Sequence, residues 1–177
     1  MKRLLPVLLT GTILLSGCSE NPLKIKPKLN SPFSAETKIT IGNEVFKGKL
    51  TRCAENDWEL KISEPFALEG LTVTVDENGT KLSMLGMEAA ADIGENAQSA
   101  VKLITDAYDS AVNDVKLTEL VNTCTNENGT YTLILSEEGY PTEISLPDLG
   151  LTVTLSEWTE ITADTESLVL DDEAIIT

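Results

Sequence analysis

The stretch GLTVTVDENGTKLSM, residues 70–84, predicts a β-hairpin. Apolar and polar side chains alternate on both sides of its centre, and such alternation gives a strand one apolar face. The pair Asn78-Gly79 lies between the two runs, where Asn-Gly favours a two-residue type I′ turn because both residues accept a positive φ. We therefore expect the two runs to pair as neighbouring antiparallel strands.

The same alternation recurs along most of the chain, and Asn128-Gly129 forms a second predicted hairpin turn. Consecutive hairpins of this kind build an antiparallel sheet with one face toward the core. The apolar members of these runs are Ile39, Ile41, Phe46, Leu50, Trp58, Leu60, Ile62, Tyr131, Leu133, Leu135, Ile144, Leu146, Leu151, Val153 and Leu155.

The pattern changes between Gly86 and Asp114, where apolar residues recur at spacings of three and four. This period predicts an amphipathic helix over Asp92 to Val112. Asp92 followed three residues later by Glu95 resembles a capping box at the start of that helix. The apolar stripe consists of Ile93, Ala97, Val101, Ile104, Tyr108, Ala111 and Val112. An isolated helix of this length is marginal, so we expect it to be held by docking on the sheet.

Seven or more half-apolar strands around a single helix predict an α+β domain over residues 36–161. We expect a curved antiparallel β-sheet, a half-barrel made of meander hairpins, with the amphipathic helix packed on its concave face. Residues 162–177, which contain five acidic side chains, are predicted to form an acidic C-terminal tail.

The start of the chain has the pattern of an export signal. Lys2 and Arg3 precede an apolar run over residues 4–15 that is too short to remain as a membrane span. The following residues Leu15, Ser16, Gly17 and Cys18 resemble the lipobox of bacterial lipoprotein precursors. That resemblance implies a signal peptide at residues 1–17, cleavage before Cys18, and a diacylglycerol on the Cys18 thiol that carries acyl chains such as palmitate.

A lipidated Cys18 implies a protein held on the extracytoplasmic face of the cell membrane. Two acyl chains suffice for stable anchoring. Residues 18–35 contain three prolines and three lysines without an apolar period, which predicts a flexible tether between the lipid and the domain.

Composition excludes several functions. The formal net charge is −16, and it becomes −18 once residues 1–17 are removed, so no nucleic-acid partner is expected. The chain has no histidine, which removes the commonest general base and the usual zinc ligand. Residues 76–79 form only a fragment of a calcium loop. We therefore expect no catalytic residues, no metal, no cofactor and no enzymatic activity.

Cys53 and Cys124 remain once Cys18 is lipidated. An exported protein can form a disulfide between them, and two buried thiols are the alternative.

The order of strands and helix on a lipidated exported chain, with Trp58 and Trp158 and the Asn-Gly and Tyr140-Pro141 turns, resembles the LolA/LolB-like lipoprotein carrier superfamily, which includes sporulation and germination lipoproteins. The resemblance implies a hydrophobic ligand held in a half-barrel groove, or an envelope protein as partner. In a carrier, Val101, Ile104 and Tyr108 on the helix would line the groove. A cell-envelope or spore interaction protein without a small-molecule site is the alternative, and the sequence does not decide between them.

Overall fold

The computed structural model describes residues 25–90, 100–114 and 117–162, which contain ten β-strands and one α-helix. Two single-turn 3-10 helices, Phe66–Leu68 and Pro147–Leu149, lie in connections between strands. The elements are β1 (Phe33–Ile41), β2 (Glu44–Ala54), β3 (Asp57–Glu64), β4 (Thr72–Asp76), β5 (Gly79–Met84), β6 (Met87–Ala90), α1 (Ala100–Val112), β7 (Val121–Asn126), β8 (Gly129–Leu135), β9 (Pro141–Leu146) and β10 (Leu151–Glu160).

All ten strands form one antiparallel sheet in the order β6-β5-β4-β3-β2-β1-β10-β9-β8-β7. Two meanders, β1 to β6 and β7 to β10, meet at the pairing of β1 with β10. The segment that contains α1 joins the two edge strands, β6 and β7. The predicted antiparallel sheet with one helix is thus confirmed.

The sheet curves around the helix. Helix α1 contacts β4 near one edge and also β7 and β9 near the other. Seven strand spacings separate β4 from β7 in the sheet order, which is about 34 Å in a flat sheet. The helix has 13 residues, which is about 20 Å of length. Both sides of the sheet can reach so short a helix only if the sheet bends toward it.

The core lies between the inner face of the sheet and α1. Alternate residues of the strands, such as Leu50, Leu60 and Leu133, are buried there. Ile104, Tyr108 and Ala111 of the predicted stripe complete the core together with Ala107, which the stripe does not include. The predicted helix start, with Asp92, Ile93, Glu95 and Ala97, lies outside the described residues.

Both predicted hairpins form, but the predicted type I′ turn is wrong at each. Neither Asn78 nor Asn128 has a positive φ, and only the glycine that follows does, with φ of 118° at Gly79 and 120° at Gly129. The side chain before each turn explains the difference. The Asp76 Oδ1 atom accepts a hydrogen bond from the Asn78 amide at 2.7 Å, and Asn126 does the same for Asn128 at 2.9 Å. This local bond favours an ordinary turn closed by glycine.

The sequence does not predict strand β6, because the alternation typical of the strands ends before Gly86 and the predicted helix begins only at Asp92. All four residues of Met87–Ala90 are exposed. The strand therefore has no buried face to produce the alternation by which the other strands are recognised.

The predicted tether boundary at residue 35 is wrong, because part of that segment belongs to the domain. Strand β1 begins at Phe33, and both Leu29 and Phe33 are buried in the core. The Lys28 amide donates a hydrogen bond to the Gly139 carbonyl at 2.8 Å. Gly139 has φ of 92°, and a Cβ atom there would collide with the backbone of Lys26, so only glycine allows this close approach.

Candidate functional site

The structure contains an apolar cavity of about 170 Å³ at one end of the sheet. It lies where β1 and β3 end and β2 and β4 begin, next to the first described turn of α1. Each wall residue is an inward-facing strand residue, part of the β3–β4 connection, or part of that helical turn. All ten are apolar: Ile39, Ile41, Phe46, Leu60, Ile62, Leu68, Leu71, Val73, Ala100 and Val101.

The size of this cavity limits what it can hold. An apolar cavity of about 150 Å³ accepts a molecule such as benzene, whereas sites for drug-sized ligands occupy about 300–1,000 Å³. The cavity can therefore take one ring or a short branched alkyl group, but not a complete long acyl chain.

Exposed apolar side chains surround the same end of the sheet. Antiparallel strands place every second connection at one end, and the Gly42 amide donates to the Gly150 carbonyl at 3.0 Å across two of these connections. We call the exposed residues at this end the apolar collar: Val45, Phe66, Leu85, Met87 and Leu149. Phe66, Leu85 and Met87 are 88%, 87% and 70% exposed, which leaves them available for contact with another molecule.

The charges at the collar are acidic. Four connections near the cavity, residues 42–43, 65–71, 85–86 and 147–150, contain Glu69 and Asp148 but no lysine or arginine, and Glu44 follows the first of them at the start of β2. The nearest lysine on β2, Lys47, forms an ion pair with Glu64 at 2.8 Å. An anionic group at the mouth of the cavity would therefore meet negative charge.

Of the three residues predicted to line a groove, only Val101 borders the cavity. Ile104 and Tyr108 are 2% and 1% exposed and belong to the core. The Tyr108 ring lies 4.9 Å from the ring of Trp58 and 5.5 Å from that of Phe33, measured between centroids. This aromatic cluster leaves no space beneath the middle of the helix, and burial raises the pKa of Tyr108 well above its ordinary value.

A buried polar network fixes the opposite end of the helix. Arg52 donates to the Asp109 Oδ1 atom through Nε at 3.1 Å and through Nη2 at 2.9 Å. The Trp58 Nε1 atom and the Asn56 amide donate to the other carboxylate oxygen at 2.8 Å and 3.0 Å. Arg52 also donates to the Asn30 carbonyl at 3.4 Å. The network thus joins β2, β3, α1 and the N-terminal segment.

This network is not among the predictions from the sequence, although one signal of it is present there. Arg52 follows Leu50 by two residues on β2, so strand alternation already placed a charged side chain on the buried face. A buried charge needs a partner of opposite sign. Choosing Asp109 among 29 acidic residues required the coordinates.

The disulfide considered between Cys53 and Cys124 is not formed in the structure. Cys53 is exposed on β2, whereas Cys124 is buried on β7, and four strands lie between β2 and β7 in the sheet. A disulfide needs Cα atoms within about 7 Å of each other. Burial raises the pKa of the Cys124 thiol, which opposes formation of the reactive thiolate.

Cys18 and the lipobox residues Leu15, Ser16 and Gly17 lie outside the described residues, as does most of the predicted acidic tail. Where the chain is described, no helix combines the length and apolarity needed to cross a bilayer. Across residues 25–90, 100–114 and 117–162, no cluster of three cysteine, aspartate or glutamate side chains could hold a metal ion.

No protein-family model and no curated protein sequence matches this chain. Its structure is similar to the crystal structure of a LolA superfamily protein from Nitrosomonas europaea, with a TM-score of 0.42 and 9% sequence identity. The similarity covers 80% of this chain and 91% of that chain. A likeness this distant does not indicate what the present chain binds.

Proposed function

We propose that this protein is a lipid-anchored, non-catalytic binding module of the extracytoplasmic side of the cell membrane, and that it holds an apolar group in the cavity beside Val101. The observation that carries the proposal is the combination of an entirely apolar cavity with an exposed apolar collar at the same end of the sheet. In this proposal the curved sheet is a half-barrel. Helix α1 fills most of its concave face, and the cavity is the part that remains open.

The position of the tether supports this proposal. The Ile25 amide donates to the Thr118 carbonyl at 3.3 Å, at the end of the sheet opposite to the cavity. Ile25 lies seven residue steps after Cys18, a distance of at most about 25 Å. Strand β1 has nine residues and is about 30 Å long. A lipid on Cys18 therefore holds the tether end close to the membrane and turns the cavity toward the outside.

Binding of a small neutral probe tests the proposed site. Toluene should bind the wild type saturably in titration calorimetry, because one apolar ring matches the size and the apolar wall of the cavity. Val101→Trp should abolish this binding by filling the cavity. Ile104→Ala is the matched control, since it shortens a core residue outside the cavity and should retain probe binding in the folded protein. Absence of saturable binding by the wild type, or unchanged binding by Val101→Trp, contradicts the proposal.

Lipidation is tested independently of binding. Mass spectrometry of the protein from a bacterium that processes lipoproteins should show a diacylglycerol-modified Cys18 as the first residue. Cys18→Ala should instead give an unmodified protein that is released or left unprocessed. An unmodified Cys18 in the wild type rules out the lipid anchor but does not affect the proposal that the cavity holds an apolar group.

A second candidate function is that of an envelope or spore interaction protein with no small-molecule site. The extent of the collar favours it, because Phe66 and Leu85 are exposed well beyond what a ligand in the cavity alone would need. This second function is the better supported of the two if the wild type fails to bind the probe.

A further inference from the structure

We propose that the group taken up by the cavity is an apolar side chain presented by a basic segment of another polypeptide. This inference rests on the proposed function, because it uses the same cavity and names its occupant. Three properties of the cavity end support it, namely its volume, the width of the collar and the sign of its charge.

The volume matches one side chain. A cavity of about 170 Å³ accommodates a phenylalanine ring or a leucine side chain, since about 150 Å³ suffices for benzene. A long acyl chain would need the core residues Ile104 and Tyr108 to move, and the aromatic cluster around Tyr108 opposes that movement.

The collar provides a contact area around such an anchor. Interfaces typically concentrate their energy in a central apolar anchor that fills a pocket and is surrounded by residues that exclude water. Phe66, Leu85 and Met87 are exposed at the same end of the sheet as this pocket, and the unbranched Met87 side chain can adapt to different partners.

The charge selects a basic partner. Glu69 and Asp148 lie in connections at the cavity end and Glu44 begins β2 there, while Lys47, three residues after Glu44, is paired with Glu64 at 2.8 Å. A fatty-acid carboxylate or an anionic membrane would be repelled. A second copy of this chain, with a formal net charge of −16, or −18 without residues 1–17, would also bring acidic residues against acidic residues. A partner that carries lysine or arginine beside an apolar side chain matches both the apolar wall of the cavity and the acidic residues near it.

Fluorescence anisotropy of labelled synthetic peptides tests this inference on the folded protein. The probe is a peptide of about a dozen residues in which lysines flank one central phenylalanine. One comparison peptide replaces that phenylalanine by alanine, and the other replaces the lysines by glutamates. The wild type should bind the first peptide at least about tenfold more tightly than either of the others. Added salt should weaken this binding.

Substitutions in the protein separate the contributions of the collar, the acidic residues and the cavity to peptide binding. Phe66→Ser and Glu69→Lys should each weaken binding of the first peptide several-fold, and Val101→Trp should abolish it. Val121→Ser and Glu138→Lys are matched controls at the opposite end of the sheet and should leave binding unchanged. Because Phe66 and Glu69 are exposed, these variants should fold normally, which circular dichroism verifies.

The outcomes distinguish this inference from the proposed function. If the neutral probe binds the cavity but the basic peptide does not, or binds equally well to the Phe66→Ser variant, the inference is wrong and the proposed function stands. Preferential binding of laurate, or of vesicles rich in phosphatidylglycerol, overturns it in favour of a lipid. If neither the probe nor the peptide depends on Val101, both proposals fail.

Discussion

The two ends of helix α1 differ in how they pack. Its C-terminal half lies against the aromatic cluster of Phe33, Trp58 and Tyr108, and Asp109 receives four hydrogen bonds from Arg52, Trp58 and Asn56. Its first described turn, at Ala100 and Val101, borders a cavity instead.

Within this one helix, the residues that stabilise the fold are therefore different from the residues that border the proposed binding site. In the C-terminal half, Tyr108 packs against Phe33 and Trp58, and the paired charges of Arg52 and Asp109 join the helix, the sheet and the N-terminal segment. The end that faces away from the tether has unfilled apolar space and exposed apolar side chains. A molecule that binds at the cavity end therefore leaves the packing of the tether end intact.

The largest effect is expected from breaking the buried network. Asp109→Ala leaves the Arg52 guanidinium buried without a counter-charge and the Trp58 N–H without an acceptor, and should cost about 3–5 kcal/mol in free energy of unfolding. Urea denaturation measures this loss. Glu64→Ala removes the partner of Lys47 in an exposed pair and is the control, with an expected cost of at most about 1 kcal/mol. Equal costs for the two variants would show that the network does not hold the helix.

A smaller difference is expected between two truncations on the same helix. Ile104→Ala creates a new space in a filled core and should cost about 2–5 kcal/mol. Val101→Ala only enlarges a cavity that already exists beside a half-buried residue, and should cost under about 1.5 kcal/mol. Both values come from urea denaturation. The contrast between the two helix ends fails if Val101→Ala is as destabilising as Ile104→Ala.

The reaction rates of Cys53 and Cys124 compare the exposed outer surface of the sheet with its buried inner surface. At mildly alkaline pH, Cys53 should react with a maleimide or a disulfide reagent at least about tenfold faster than Cys124, a difference of about 1.4 kcal/mol in activation free energy. Burial restricts access to Cys124, and its raised pKa lowers the fraction of thiolate at any given pH. Peptide mapping after partial labelling identifies the faster thiol, and a protein that shows no reactive thiol until it is reduced contains the disulfide after all.

The smallest effect is expected at the exposed turn after β4. Lys81 Nζ donates to Asp76 Oδ2 at 2.6 Å, and this hydrogen bond is the main cause of the lowered pKa of Asp76. Its contribution to stability is therefore present above the ordinary aspartate pKa and is lost as the pH falls through the lowered value.

Asp76→Asn keeps an acceptor for the Asn78 amide and removes only the ion pair. The variant should differ slightly from the wild type at neutral pH and not at all in strong acid, as measured by urea midpoints across the pH range. A difference that grows toward low pH would contradict this assignment.

The strands could be predicted from the sequence wherever one face of the strand is buried. The alternation in Trp58, Leu60 and Ile62 reflects a strand with one side in the core, so the pattern and the structure agree. Strand β6 has no buried side and therefore produces no alternation. The sequence pattern of the segment before Phe33 is that of a polar tether. The segment docks through one buried leucine, Leu29, and through backbone contacts at Gly139, and neither contact produces a repeating apolar pattern in the sequence.

The site was less predictable than the fold, because a cavity is a property of several segments at once. The helical period correctly places Val101, Ile104 and Tyr108 on one face. It cannot show that Phe33 and Trp58 fill the space beneath Tyr108 while nothing fills the space beside Val101. That difference depends on the side-chain volumes that distant strands bring to each end of the helix.

The sequence alone determines the antiparallel class of the fold, the positions of the two hairpin turns and the amphipathic character of the helix, since each follows from residues close together in the chain. Only the tertiary structure decided that Arg52 pairs with Asp109, 57 residues away, that Leu29 belongs to the core and that the cavity and the collar lie at the end away from the tether. These features depend on the curvature of the ten-stranded sheet, which brings together residues that no local pattern connects.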